Sequence, residues 1–240
     1  MIDLHSHILP EVDDGAKNTQ EALFMLSDSF NQGVKLCVAT PHCIVHEHED
    51  ITKFCRKRDK SFKMLKEQMT QNKFPEILLG AEVYLDNNIS KHEDVNKLCI
   101  GQSNLILVEF PIFNQDKNLE EWVYLLTVKG YKPIIAHIER YPNAKQLISN
   151  LRDLNLIYQI NASRLLSYGG RRTVKDLIET GERFVLSSDM HNTTSRKCNM
   201  GKACHIVSKK FKDTKMIIPY KEKESHLSFN SLFILEEASL

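Results

Sequence analysis

Near its start the chain reads Ile2-Asp3-Leu4-His5-Ser6-His7, an apolar run that ends in two imidazoles. Six more short, aliphatic and β-branched runs follow: Val34–Thr40, Ile77–Val83, Leu105–Phe110, Pro133–His137, Leu156–Ile160 and Arg183–Ser188. Runs of this length and composition predict buried parallel strands. Between them, helical periodicity predicts helices near 19–32, 50–72, 118–129, 144–154 and 171–180. Asn18 and Glu21 form a capping box for the first, and Gly33, Gly130 and Gly181 stop three of them. This alternation predicts an α/β fold with a parallel sheet, either doubly wound or closed into a barrel. The strand ends decide between the two. His5 and His7, His42 after Thr40-Pro41, Glu82, Glu109, His137, and Asp189 with His191 place metal-ligand residue types at the carboxyl ends of six strands. Only a closed barrel brings all those ends to one face. The expected fold is therefore a single TIM-like α/β barrel domain over residues 1–240.

Composition narrows the function. The 240 residues include 32 Lys plus Arg and 31 Asp plus Glu, a net charge of +1 with no basic stripe. That balance offers no electrostatic footprint for nucleic acid. Hydrophobic residues make up 42% of the chain, enough for a sizeable core. The longest apolar run falls short of the roughly 20 residues that span a bilayer, so membrane insertion is not expected. The opening residues lack a positively charged n-region followed by an apolar stretch. Six scattered cysteines without a C-x-x-C pair read as reduced thiols, and the expected compartment is the cytoplasm.

His5, His7, His42, His137 and His191, with Glu82, Glu109 and Asp189, form a candidate metal constellation, joined by Asp14 from the turn Asp13-Asp14-Gly15. Five imidazoles and four carboxylates exceed the needs of one ion and suit two or three. Such a mixed set favours Mn, Fe or Zn, whereas Mg takes more oxygen. A glutamate can bridge two ions, and a hydroxide shared between them would attack phosphorus in line. Four carboxylates against three divalent ions leave the site about +2, attractive to a phosphate dianion. Arg140 and Arg196 follow the ligands in predicted loops, where guanidinium forks bind phosphate oxygens. Each member has a plainer alternative: a core histidine, a solvated arginine, or turn chemistry at Asp14. Glu82, Glu109 and Asp189 resist it, because each follows an apolar strand where an unpaired buried carboxylate is costly.

His5-x-His7, Thr40-Pro41-His42, His137-Ile138-Glu139-Arg140 and Ser188-Asp189-Met190-His191 together resemble the motifs of the PHP (polymerase and histidinol phosphatase) superfamily. The opening Asp3-Leu4-His5-Ser6-His7-Ile8-Leu9-Pro10 with Asp13-Asp14-Gly15 is similar, more narrowly, to bacterial PHP-type tyrosine-protein phosphatases of capsule and exopolysaccharide loci. The resemblance spans about residues 1 to 200. It implies a distorted (β/α)7 barrel, a manganese-preferring trinuclear centre and dephosphorylation of a cognate tyrosine autokinase. The nine ligand positions match the family pattern, and Arg140 and Arg196 match its phosphate-binding positions. Asp14 and His42 join the arginines as expected catalytic residues. Two features depart from the pattern. Lys197-Cys198 stands where the family has paired prolines, and the sequence of residues 212–240 gives no evident sign of the usual C-terminal helices. These departures leave the oligomeric state open.

Other readings separate on the page. His42-Cys43 resembles a cysteine-dependent phosphatase loop, which needs arginine six residues on, but position 49 is Glu49. The other five cysteines have Cys43, Ser61, Leu105, Cys204 and Lys210 at that offset, so thiol catalysis is excluded. A small phosphomonoester such as histidinol phosphate would use the same centre. A phenolate leaving group, with a pKa near 10, needs less help from a general acid, and no dedicated acid is evident. A non-catalytic docking module is the third reading, and the complete ligand set speaks against it. The basic run Lys53–Lys60 reads first as a solvated helix face. Tyr84 and Tyr141 are candidates either for stacking on a phosphotyrosine ring or for structural packing.

Overall fold

The computed structural model describes residues 1–46, 50–70, 73–111, 118–211 and 216–217. In chain order the elements are β1 (Ile2–Ser6), α1 (Thr19–Asn31), β2 (Leu36–Ala39), β3 (His42–Cys43), α2 (Asp50–Gln68), β4 (Glu76–Leu79) and β5 (Glu82–Tyr84). Then come β6 (Leu105–Glu109), α3 (Leu119–Val128), β7 (Lys132–Ile135), α4 (Ala144–Leu151), β8 (Ile157–Asn161), α5 (Tyr168–Ile178), β9 (Arg183–Ser187), α6 (Met200–Lys210) and β10 (Met216–Ile217). All strand pairs among the described residues are parallel.

The strands form two sheets, ordered β1-β2-β4 and β10-β9-β8-β7-β6-β5-β3. The expected strand Val34–Thr40 is followed, after a break, by the short continuation β3, and the expected strand Ile77–Val83 is broken in two. The first breaks at Thr40-Pro41, where proline has no N–H to continue a ladder, and the second at Gly80-Ala81 beside it. Pairing survives the break, since Gly80 N–H donates to Ala39 O at 2.9 Å and Glu82 N–H to Pro41 O at 3.1 Å. Seven strand positions thus follow one another: β1, β2/β3, β4/β5, β6, β7, β8 and β9.

The last position returns to the first. Ser6 and Met190 form a parallel bridge, His7 N–H donates to Met190 O, and Asp189 N–H donates to His5 O, both at 2.9 Å. Side chains complete the seam: Leu4 N–H donates to Ser187 Oγ at 3.2 Å, and Ser188 N–H to Asp3 Oδ1 at 2.9 Å. The seam is short because β10 takes the edge of β9 at Phe184 and Val185. The sheet is therefore a distorted ring, with no continuous ladder between β1 and β9.

Alternation fills the ring and faces its helices. Ile2, Leu4, Leu36, Val38, Leu105, Leu107, Ile134, Ala136, Ile157 and Val185 pack together in one cluster. Their neighbours of opposite parity, including Cys37, Ile106, Val108, Ile135, Tyr158, Phe184 and Leu186, join the larger core under the helices. Asn18 caps α1 as expected, its Oδ1 accepting from Glu21 N–H at 2.9 Å. Glu21 differs slightly, its carboxylate accepting from Lys17 N–H. α6 was not expected from the sequence. The basic run on α2 is only partly solvated, because Arg58 is buried and donates to the carbonyls of Gly80 and Lys97. Of the divergent segment 212–240, only Met216 and Ile217 lie within the described residues. No described helix is long and apolar enough to cross a membrane.

Candidate metal centre

Strand parity delivers most of the site. On β2/β3 the inward series 36, 38, 40 continues to His42, on β4/β5 it reaches Glu82, on β6 it ends at Glu109, and beyond β9 it reaches Asp189. Two positions require an irregularity. Between Asp3 and Ser6, β1 advances three residues while β2 advances two from Cys37 to Ala39, a bulge that turns His5 and His7 inward. After Ala136 the chain turns left-handed at His137, with φ of 33°, and Asp189 is held the same way at 52°. Such conformations are uncommon for non-glycine residues and concentrate at functional sites.

The structure brings all nine expected ligands into one cluster. Glu82 lies at its centre, 1% exposed. Its Oε2 is 3.1 Å from His5 Nε2, His7 Nε2 and His42 Nδ1, and its Oε1 is 2.8 Å from His137 Nε2. Glu109 Oε1 lies 3.1 Å from His42 Nδ1. Asp189 Oδ1 lies 3.5 Å from His5 Nε2 and from His191 Nδ1. Asp14, on the exposed side, places Oδ1 3.4 Å from both His42 Nε2 and His191 Nε2. Among the described residues three sets have ligand atoms close enough to share an ion: His7, Asp14, His42 and His191; His5, His7 and Asp189; His42, Glu82 and Glu109.

Donor geometry fits metal better than a hydrogen-bonded network. Glu82 Oε2 and His191 Nε2 are buried without a hydrogen-bond partner among the described residues, although Oε2 has three imidazole nitrogens around it. His5 Nε2 and His7 Nε2 face each other at 3.1 Å. Lone pairs converging in this way suit a cation. The set holds imidazole and carboxylate without thiolate, the chemistry of Mn, Fe or Zn.

Charge is distributed accordingly. Burial disfavours the imidazolium at His5, yet the charges of Glu82 and Asp189 overcome it and raise its pKa from 6.5 to about 10. At His42 burial is likewise outweighed, by Glu109 and Glu82, and the pKa rises to about 9. Burial and the neighbouring His7 charge lower His191 to about 4. Burial works against ionisation of Asp189 too, but His5 and Arg140 hold it below the usual carboxylate range. Metal and proton compete for these nitrogens.

Both arginines reach the cluster. Arg140 Nη2 bonds Asp189 Oδ2, and Arg196 Nη2 lies 3.0 Å from both oxygens of Asp189. Arg196 Nη1 also lies 3.5 Å from Asp14 Oδ2. Each side chain is 35% exposed, so both arginines border the open side of the cluster. Tyr141 is settled as structural: it is buried, and its hydroxyl accepts from Phe110 N–H at 2.9 Å. Tyr84 is half-buried at the end of β5.

Three residues around the ligands escaped the sequence reading. Asp13 Oδ2 accepts from His7 Nδ1 at 2.6 Å and from His42 N–H at 2.9 Å, tying two ligands to one loop. Gln159 and Asn161 on β8 touch His5 and Asp189. Asp13 had a visible signal in its Asp-Asp-Gly turn, whereas the amides of β8 had none.

Fold and centre define the class: a parallel α/β protein with a multi-histidine, multi-carboxylate centre of metal-binding type at the carboxyl ends of its strands. The chain belongs to the capsular polysaccharide synthesis CpsB/CapC family, whose model matches residues 1–223. It is 30% identical over 247 residues to the putative tyrosine-protein phosphatase CapC of Staphylococcus aureus, covering 99% of this chain and 92% of that one. It is 28% identical over 221 residues to the tyrosine-protein phosphatase YwqE of Bacillus subtilis, covering 88% and 85%. Among solved structures it is similar, with a TM-score of 0.75 and 27% identity, to one from the work on YwqE from Bacillus subtilis and CpsB from Streptococcus pneumoniae, described as metal-dependent tyrosine phosphatases. That match covers 88% of this chain and 87% of the other.

Proposed function

We propose that this chain is a metal-dependent protein-tyrosine phosphatase of the cytoplasm, removing phosphate from a tyrosine kinase of capsule or exopolysaccharide synthesis. The observation that carries the reading is the buried Glu82 Oε2 facing three imidazole nitrogens at 3.1 Å, in a chain whose relatives are tyrosine-protein phosphatases. His5, His7, Asp14, His42, Glu82, Glu109, His137, Asp189 and His191 would hold two or three ions, with Mn as the resident metal. Ions in such a centre supply Lewis-acid polarisation and a water-derived nucleophile near neutral pH.

The protein's own groups do the rest. Arg140 and Arg196 direct free N–H groups at the non-bridging phosphoryl oxygens and neutralise charge that grows in the transition state. Asp189 holds both guanidiniums in place, so they need not reorganise when substrate arrives. Asp14 and His42, more exposed than the deeper ligands, form the edge nearest the incoming phosphate. A tyrosyl phenolate departs with little proton assistance, so this leaving group does not require a dedicated acid.

The test compares a phosphotyrosine peptide with histidinol phosphate on manganese-loaded protein. A kcat/KM for the peptide at least tenfold higher is the expected result. The reverse preference would keep the centre and move the protein to small-molecule metabolism.

A further inference from the structure

β8 is the strand of the ring that brings no metal-ligand residue type to the mouth, yet its inward side chains Gln159 and Asn161 are buried and engaged. Gln159 Oε1 accepts from the backbone N–H of His137 at 2.7 Å and faces His5 Nδ1 at 3.0 Å. Gln159 Nε2 donates to Asn161 Oδ1 at 2.7 Å, and Asn161 Nδ2 donates to Asp189 Oδ2 at 2.7 Å.

The polarity of this chain is not free. A backbone N–H can only donate, so the atom of Gln159 that meets His137 must be its oxygen. The amide nitrogen then points at Asn161, which must answer with its own oxygen and turn its nitrogen to Asp189. His5 Nδ1 faces an oxygen that carries no hydrogen, so Nδ1 keeps the proton. His5 Nε2 is left for the cluster, 3.1 Å from Glu82 Oε2. At the other end, Asp189 Oδ2 is held by Asn161 and Arg140 while Arg196 Nη2 lies 3.0 Å from both oxygens, and Oδ1 is the oxygen that faces His5, His7 and His191.

We propose that Gln159 and Asn161 are positioning residues of the centre, a two-amide relay that sets His5 to ligate through Nε2 and Asp189 through Oδ1. The proposal rests on reading the cluster as a metal centre. Partners of this kind fix ligand orientation, and their loss weakens metal binding by about 10- to 100-fold.

Chelator competition with zinc, alongside 15N-histidine spectra of zinc-loaded protein, separates the two claims. Gln159→Leu is expected to lower zinc affinity by about 10- to 100-fold. Gln159→Glu, which still offers an oxygen to His5 and His137, is expected to recover most of that loss. Wild-type spectra should show the His5 proton on Nδ1. Wild-type affinity in Gln159→Leu, or a His5 proton on Nε2, would overturn the relay while leaving the centre. Wild-type protein that binds no zinc would overturn the metal-centre reading and the relay with it. Should Gln159→Leu not fold, Asn161→Ala applies the same competition at the Asp189 end, where unchanged affinity would overturn the proposal.

Discussion

A methyl group has no room at Gly15. A Cβ built there would lie 2.1 Å from His7 O and 2.6 Å from His7 Cβ, both parts of a ligand residue. The loop is pinned close by Ala16 N–H donating to His7 O and by Asp13 gripping His7 and His42. Gly15→Ala should therefore displace His7 and lower both metal content and turnover by at least tenfold, measured by elemental analysis and phosphatase assay. Arg196→Ala should behave differently, raising KM and lowering kcat while metal content stays near wild type, as the proposed phosphate-binding role requires. Glu109→Ala or His137→Ala with wild-type rates would contradict a shared centre. No cysteine belongs to the candidate ligand sets among the described residues. Burial pushes Cys99 and Cys198 up to about 12, so both stay protonated at pH 8. Iodoacetamide treatment at that pH is expected to leave peptide turnover unchanged.

Elements of high contrast were the ones the sequence could reveal. Leu105–Glu109 and Arg183–Ser187 are apolar runs buried on both faces, and such runs read as strands with few alternatives. Helix α1 was equally plain, since Asn18 caps it and Gly33, at φ of 92°, ends it. Asn18→Ala should destabilise the protein by about 1 kcal/mol in urea unfolding and leave turnover intact, because the cap lies outside the ligand set. α6 stayed hidden because Met200–Lys210 intersperses glycine, histidine and three lysines among its apolar residues and has no side-chain cap. The strand breaks at Pro41 and Gly80 were local signals outweighed by the apolar runs around them. Ligand residues were visible because six strands end in similar chemistry. Gln159 and Asn161 were not, since an amide on a strand gains its meaning only from partners far away in sequence, His5 154 residues off and Asp189 28.

At the scale of the whole molecule, the candidate ligands come from six of the ring's seven strand positions, so metal held there would be linked to folding. His5 and His42 have pKa values raised from 6.5 to about 10 and about 9. Groups raised in this way stabilise the folded metal-free protein fully below pH 6.5, and that contribution is lost as pH rises through about 9 to 10. Bound ions replace those protons and compete best where protons are scarce. The gain in melting temperature on adding manganese should therefore grow between pH 6.5 and 9, as followed by calorimetry. The central claim is that one manganese cluster performs the hydrolysis. Titrating metal-stripped protein with manganese while following phosphotyrosine peptide turnover tests it most directly. The account predicts no turnover at the start and a rise that saturates at two or three ions per chain; full turnover in the stripped protein would contradict it.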